Sequence, residues 1–430
     1  MKKVAILLTS LTVALASGCQ DHVFEPPPSG TIQALGAWRT GGTGSDQSYN
    51  IARDAQGNLF LTGNLDGTFI GKYTSSGVLQ WRKNLRPVLD PAGHFVGVDA
   101  SGNVYVAAQR LGSKADFGQS GENEVYLASY TNDGTLRWIL ATTANTGDRT
   151  FTSIMIPIDL VTDGAGNTYI TGWFSGTVDF GGIEFASRPQ SAKPGGFEDG
   201  FLLKVNKDGT LQWVKHLAGD RTDYGLGLAL DQAGNVFVSG VTDSGSTFDG
   251  INVTGATSFA AKFAPDGTRQ WVTAVRQALT FGEARNIGVD EAGNSYVQTG
   301  AVVTKLNSNG EAEWHKGIPV GSHPTYTKVT FNRNGDYYVT DTFSGTITIE
   351  GQTLTSRGGY DIFLVKYDKN GSFKWIVQEG GPQNDSSREN ILSEGGIIHL
   401  LGTFEGTTTI AGTSLTSAGL TDIFVATYKE

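Results

Sequence analysis

Apolar residues recur along this chain in short runs, and nearly every run stops at the same few polar residues. The stretch Ile287 to Trp314, IGVDEAGNSYVQTGAVVTKLNSNGEAEW, shows the rule. An apolar run ends at Asp290, and a Glu-Ala-Gly-Asn turn follows. A second run, Ser295 to Thr299, stops at Gly300. A third reaches Leu306, and an Asn-Gly turn leads into a strand carrying Trp314. Alternation at period two, bounded by Gly, Asn and Asp, predicts strands joined by hairpins. Each such unit holds strands that we label a to d, from the Asp turn to the Trp.

The unit repeats along nearly the whole sequence. The turn D-x-x-G-N occurs at Asp54, Asp99, Asp163, Asp231 and Asp290, with degenerate copies at Asn332 and Ser393. In it the Asp side chain caps its own turn and Gly takes positive φ. A second turn precedes Trp81, Trp138, Trp213, Trp271, Trp314 and Trp375, in forms such as KVNKDGTLQW and KYDKNGSFKW. The seventh unit runs into the chain end at Glu430 with no tryptophan, while Trp38 stands near the start with no unit before it. The N-terminal strand therefore supplies the missing strand d and closes a ring, which removes the open sheet edge. Repeated tryptophans at one place in each unit read as packing between neighbouring units. From each Trp to the next turn residue the spacings are 16, 18, 25, 18, 19, 18 and 18. Most length variation lies between strands b and c, where FSGTVDFGG at Phe174, FSGTITIEG at Phe343 and FEGTTTIAG at Phe404 read as hairpin extensions.

These units resemble the bacterial β-propeller repeat called SBBP, and more loosely the NHL and YVTN propeller repeats, over roughly residues 36 to 430. The resemblance implies an all-β fold: a seven-bladed β-propeller of four-stranded antiparallel blades. It implies little about activity, because such propellers serve many functions. In propellers the b–c and d–a loops share the face where ligands usually bind.

The N-terminus adds an address. Lys2 and Lys3 precede a mostly apolar segment, Val4 to Ala16, too short for a comfortable membrane span. Ala16-Ser17-Gly18-Cys19 resembles the lipobox of bacterial lipoproteins, with Ala where Leu is commoner. The resemblance implies cleavage before Cys19, the chain's only cysteine, and its lipidation. The alternative is an ordinary secretory signal with an incidental cysteine. Gln20 lacks the Asp that would resemble an inner-membrane retention signal, which favours the outer membrane. Pro26, Pro27 and Pro28 give residues 19–34 the character of a stiff tether. The expected organisation is a signal peptide at 1–18, the tether at 19–34 and the propeller at 35–430.

Composition narrows the partners. Without residues 1–18 the chain has Lys+Arg 30 against Asp+Glu 42, a net charge of −12. An acidic protein is a poor candidate for nucleic acid. A lone cysteine leaves folding to core burial rather than to disulfides.

Candidate chemistry is sparse. The histidines (His22, His94, His216, His315, His323 and His399) form no H-E-x-x-H or close pair, so no metal is expected. No EF-hand loop, phosphate loop or nucleophile elbow is present, and no cofactor is implied. Trp173 lies outside the repeat, at the start of the longest b–c insertion, and could stack on a sugar or a peptide aromatic or pack its own insertion. Where strand a enters, Asn50, His94, Asp159, Asn286, Lys328 and Glu389 break the apolar pattern, with Arg285 and Arg388 one residue further out. They form a candidate axial binding site or a solvated channel mouth. The expectation is a monomeric envelope lipoprotein, a non-catalytic propeller that binds a glycan or a protein. The alternative is a propeller enzyme, a lyase like the streptogramin-inactivating propellers or a glycan-active hydrolase, using His94, His323, Lys328 or Glu389.

Overall fold

The computed structural model describes residues 32–430 apart from 66, 86–93, 111–123, 142, 145–153, 188–197, 220–221, 243–246, 249–250, 254–257, 276–283, 323–326 and 394. The signal segment, Cys19, residues 20–31 of the tether and His323 lie outside the described residues, as do the side chains of Arg285 and Arg388. Gln33 and Ala34, expected in the tether, belong to the first strand.

Each D-x-x-G-N turn forms as its chemistry dictates. In the first, Asp54 Oδ1 accepts the Asn58 N–H at 2.8 Å, Asp54 Oδ2 accepts Asn58 Nδ2 at 2.8 Å, and Gly57 sits at φ 87°. The copies at Asp99, Asp163, Asp231 and Asp290 repeat both bonds. These turns join strands a and b of successive antiparallel sheets. The first blade is Gln47–Arg53, Leu59–Asn64, Thr68–Tyr73 and Leu79–Asn84, in that spatial order. Later blades begin with the inner strands Phe95–Val98, Ile154–Thr162, Tyr224–Leu230, Ala284–Val289, Lys328–Phe331 and Asp385–Ser393. Each inner strand touches the next, and the cycle closes from Asp385–Ser393 back to Gln47–Arg53. The protein is a seven-bladed β-propeller.

Closure is made by the first strand. Gln33–Thr40 pairs antiparallel with Thr413–Lys429, placing Gln33 opposite Lys429 and Thr40 opposite Ile423. The shortest blade is the fifth, where only Gly300, at φ 53°, and Ala301 separate strands b and c. Among the described residues, blades three, four, six and seven carry a hairpin between b and c. The one in blade three, Thr177–Asp179 with Glu184–Ala186, pairs with Thr143–Ala144 rather than extending its own sheet. In blades six and seven the hairpins lengthen strands b and c of their own sheet, turning at Glu350-Gly351 and Ala411-Gly412. In blade four the corresponding hairpin pairs instead onto strand d of blade three, with Phe248 opposite Leu217.

The repeated tryptophans fasten one blade to the next. Trp81 Nε1 donates to Asn132 O at 2.9 Å, Trp138 to Lys207 O at 2.8 Å, Trp213 to Pro265 O at 3.1 Å and Trp271 to Ser308 O at 3.0 Å. Each acceptor lies in the c–d turn of the following blade. That turn's glycine (Gly134, Gly209, Gly267 or Gly310) lies flat on the indole, where any Cβ would collide. Blade seven has no such turn, and the Glu430 carboxylate takes its place, accepting Trp375 Nε1 at 3.2 Å.

Trp38 departs from the expected equivalence. In blade one the Trp position pairs with Lys72, whose counterpart in blade seven is Thr427, and Thr427 pairs with Gly36. Trp38 therefore stands two residues beyond the Trp position, on the same face of the strand. This accounts for its spacing of 16 to the next turn where 18 is usual. Its ring still lies against the glycine of the following blade, Gly77, and stacks on Tyr73 at 5.0 Å. Its buried Nε1 has no hydrogen-bond partner.

Candidate functional site

The inner strands line a central cavity of about 370 Å³. A single place on each strand, four residues before the turn residue, sets one level of its wall. Around the ring this place holds Asn50, Phe95, Asp159, Gly227, Asn286, Lys328 and Glu389, and a register shift precedes it in blades one, three, four, five and seven. The apolar neighbours Ile51, Val96, Leu228, Ile287 and Val329 complete much of the wall.

Two of these side chains act as clasps between blades. Asn50 Oδ1 accepts the N–H of Val96 at 3.2 Å, and Asp159 Oδ2 accepts the N–H of Leu228 at 2.8 Å. In both cases the donor is the residue after the equivalent place in the next blade. Asp159 Oδ1 also accepts the Leu160 N–H at 2.8 Å. The Asp159 side chain keeps some solvent access, but protein surrounds its carboxyl at longer range, and this burial pushes it up to about 7. The two backbone donors and Lys328 oppose the shift, and Glu389 adds to it. Asn286 Nδ2 donates within its own blade to Gln298 Oε1. Lys328 Nζ lies 3.6 Å from Glu389 Oε2, joining blades six and seven across the cavity from Asp159. With the Lys328 side chain 38% exposed, the pair adds little stability and its charge is available to a ligand.

The sequence-derived candidates thus separate. Asn50, Asp159, Asn286, Lys328 and Glu389 share one cavity. His94 does not line it. It lies one residue before the wall position, which Phe95 occupies, and is 1% exposed with its ring stacked on Tyr49 at 5.1 Å. Its carbonyl accepts Thr62 Oγ1 at 3.0 Å. Counting back four residues from Asp99 in the sequence would have selected Phe95. Trp173 also lies off the cavity, at the end of strand b in blade three, with its half-buried indole tilted on Tyr224 of blade four at 5.6 Å. Arg285 and Arg388 adjoin wall residues in the chain, but their side chains lie outside the description.

The opposite end of the channel, at the a–b turns, is a wider bowl of about 700 Å³ lined by Asp163, Asp231, Asp290, Glu291 and Arg333 among others. Three of those acids are consumed by their own turns. Among the described residues, no group of three or more His, Cys, Asp or Glu side chains could hold a metal ion.

No model of a known protein family matches the chain, and no curated relative matches it. Among solved structures, YCF48 bound to a D1 peptide is similar at 10% identity and a TM-score of 0.47, covering 93% of this chain and 100% of its own. YCF48 from Cyanidioschyzon merolae is similar at 9% identity and 0.44, covering 91% and 98%. A gluconolactonase from Xanthomonas campestris is similar at 16% identity and 0.37, covering 73% and 94%. At these values the likeness carries no argument about activity or partner.

Proposed function

We propose that this chain is a lipid-anchored binding propeller of the bacterial envelope, built on the SBBP-type repeat. In this reading residues 1–18 are a signal peptide, Cys19 carries lipid at the outer membrane, and residues 20–31 hold the propeller off the bilayer. The face bearing the b–c and d–a loops binds a glycan. The observation that carries the reading is the half-buried Lys328–Glu389 pair with Asn286 nearby, set in a cavity walled by both polar and apolar side chains. A cation, a carboxylate and an amide supply the donor and acceptor mix that sugar hydroxyls require, and about 370 Å³ accommodates a small ligand or the end of a chain. Trp173 with Tyr224 offers an aromatic platform away from the axis for the rest of a longer glycan. Arg285 and Arg388 belong to the same proposed surface.

One observation favours a second reading as an enzyme: Asp159 titrates close to neutrality, as a general acid or base would. Both its oxygens, however, already hold backbone N–H groups, that of Leu160 on its own strand and that of Leu228 in the next blade. That commitment favours binding over catalysis.

A glycan array probed with the full chain, alongside a pull-down from native envelope, tests the reading. Lys328→Met and Glu389→Gln should each weaken binding of the captured glycan at least about tenfold, the loss of a charge-assisted hydrogen bond. Trp173→Ala should weaken binding without abolishing it. Unchanged binding in both channel variants would remove the site from the axis, and capture of a protein alone would replace the glycan. Cys19→Ala should move the protein from the membrane fraction to the soluble one, and retention in membranes would end the anchor reading.

A further inference from the structure

Three junctions between blades are built on the same pair of buried aspartates, one opening strand c and the other opening strand a of the next blade. They are Asp199 with Asp223, Asp361 with Asp385, and Asp422 with Asp46, and all but Asp46 (1%) are 0% exposed. The local scaffold repeats closely. Gly42 N–H donates to Asp46 at 2.6 Å and Gly381 N–H to Asp385 at 2.8 Å. A Cβ on Gly41 would strike the Asp422 carboxyl, and one on Gly380 would strike Asp361.

The junctions differ in what answers the charge. At the ring closure Arg39 Nη1 lies 2.5 Å from Asp422. At blades three and four, His216 Nε2 lies 2.7 Å from Asp199. The same place on strand d of blade six is Gln378, three residues past Trp375 as His216 is past Trp213. Gln378 Nε2 donates to Asp361 Oδ2 at 2.7 Å but brings no charge. The nearby Arg357 gives Asp361 only its backbone N–H, at 3.2 Å, and turns its guanidinium to Gly380 O at 2.7 Å. Among the described residues no basic side chain forms an ion pair with Asp361 or Asp385.

Three buried oxygens are left over there. Asp361 Oδ1, Asp385 Oδ1 and the hydroxyl of Thr408, a residue 2% exposed, have no hydrogen-bond partner. They gather about the Gly380–Gly381 peptide. Asp361 packs on Gly380, Asp385 accepts from Gly381, and Thr408 Oγ1 lies beside Gly381 and faces Asp385, whose charged form it favours. Glu405 adds further negative potential to Asp385. Leaving two buried carboxylates uncompensated is costly.

We infer that the junction of blades six and seven is a calcium site, held by Asp361 Oδ1, Asp385 Oδ1 and Thr408 Oγ1, where a bound cation does the work that Arg39 does at the ring closure. An all-oxygen donor set selects a hard cation, and calcium tolerates irregular geometry better than magnesium does. Two carboxylates place the affinity in the weak, extracellular class, with Kd about 0.1–1 mM. The site lies on the loop-bearing face, at the root of the blade-seven hairpin that carries Thr408. It therefore ties that hairpin to blade six.

The test uses the full chain, stripped with chelator and titrated with CaCl2 by calorimetry and by thermal unfolding, with MgCl2 and NaCl as controls. The expected result is one calcium per chain and a saturable rise in Tm. Gln378→Arg, which installs the cation found at the ring closure, should abolish the calcium response without lowering the calcium-free Tm. Asp385→Asn should also lose the response. A wild-type Tm indifferent to calcium would overturn the site, as would a calcium response that survives in Gln378→Arg.

Discussion

The tryptophan fasteners yield a prediction in which two chemically identical substitutions behave differently. Trp81→Phe and Trp38→Phe each remove the pyrrole edge of an indole that covers a glycine of the next blade. The apolar loss is similar at the two sites, about 1 kcal/mol for a small reduction in packed area. The polar terms have opposite sign. Trp81 Nε1 donates at 2.9 Å to Asn132 O, which afterwards keeps only the Lys72 ammonium at 3.4 Å. Losing that bond costs about 1 kcal/mol more. Trp38 Nε1 is buried without an acceptor, so its removal relieves a desolvated donor that costs about 1–3 kcal/mol. Trp81→Phe should therefore destabilise by about 2 kcal/mol, and Trp38→Phe should be neutral or slightly stabilising. Equilibrium urea unfolding followed by circular dichroism resolves a gap of that size. If Trp38→Phe costs as much as Trp81→Phe, the Trp38 N–H is satisfied in solution and the two-residue offset has no energetic consequence.

Two further outcomes follow from local geometry. Asp231→Ala removes bonds from Ala233 N, Asn235 N and Asn235 Nδ2 and should cost about 2–3 kcal/mol in urea unfolding. Asp231→Asn, which imitates the natural turn at Asn332, should cost about half as much. His399 is 1% exposed, and burial, with Arg53 assisting, lowers it to about 4 from its usual 6.5. The folded state therefore binds this proton less readily than the unfolded chain. The stability present above about pH 6.5 should drain away towards pH 4, by up to about 3 kcal/mol. In unfolding curves at pH 7 and pH 4.5, His399→Gln should show a smaller drop between the two than wild type, and an equal drop would mean that His399 is not the group responsible.

The two failures of register explain what was hard to read. Trp38 carries the right residue type at the wrong place, because the closing strand slides by two residues and still buries the same face. Only the spacing of 16 betrayed it. His94 was selected because it is polar at the start of a strand, yet a shift of one residue turns a strand side chain to the other face. Phe95, an ordinary apolar residue, holds the wall position instead. The clasps made by Asn50 and Asp159 were equally hidden, because their partners are backbone N–H groups, which no residue type marks.

The sequence by itself determined the number of blades, the four-strand unit, the closure by the N-terminal strand and the places where hairpins are added. The unit and the added hairpins depend on turns whose bonds span at most five residues, so their local chemistry is written in full within each repeat, and counting those repeats exposes the strand that the N-terminus must supply. The tertiary structure decided which polar side chains are spent as clasps and which face the cavity. It also decided that Asp361 and Asp385, separated by the rest of strand c, a turn, all of strand d and a loop, share one buried junction with Gln378 where an arginine or histidine stands elsewhere. Those outcomes depend on how neighbouring blades dock. Docking joins residues that no period links, and burial converts their charges from solvated ornaments into energies that something else must balance.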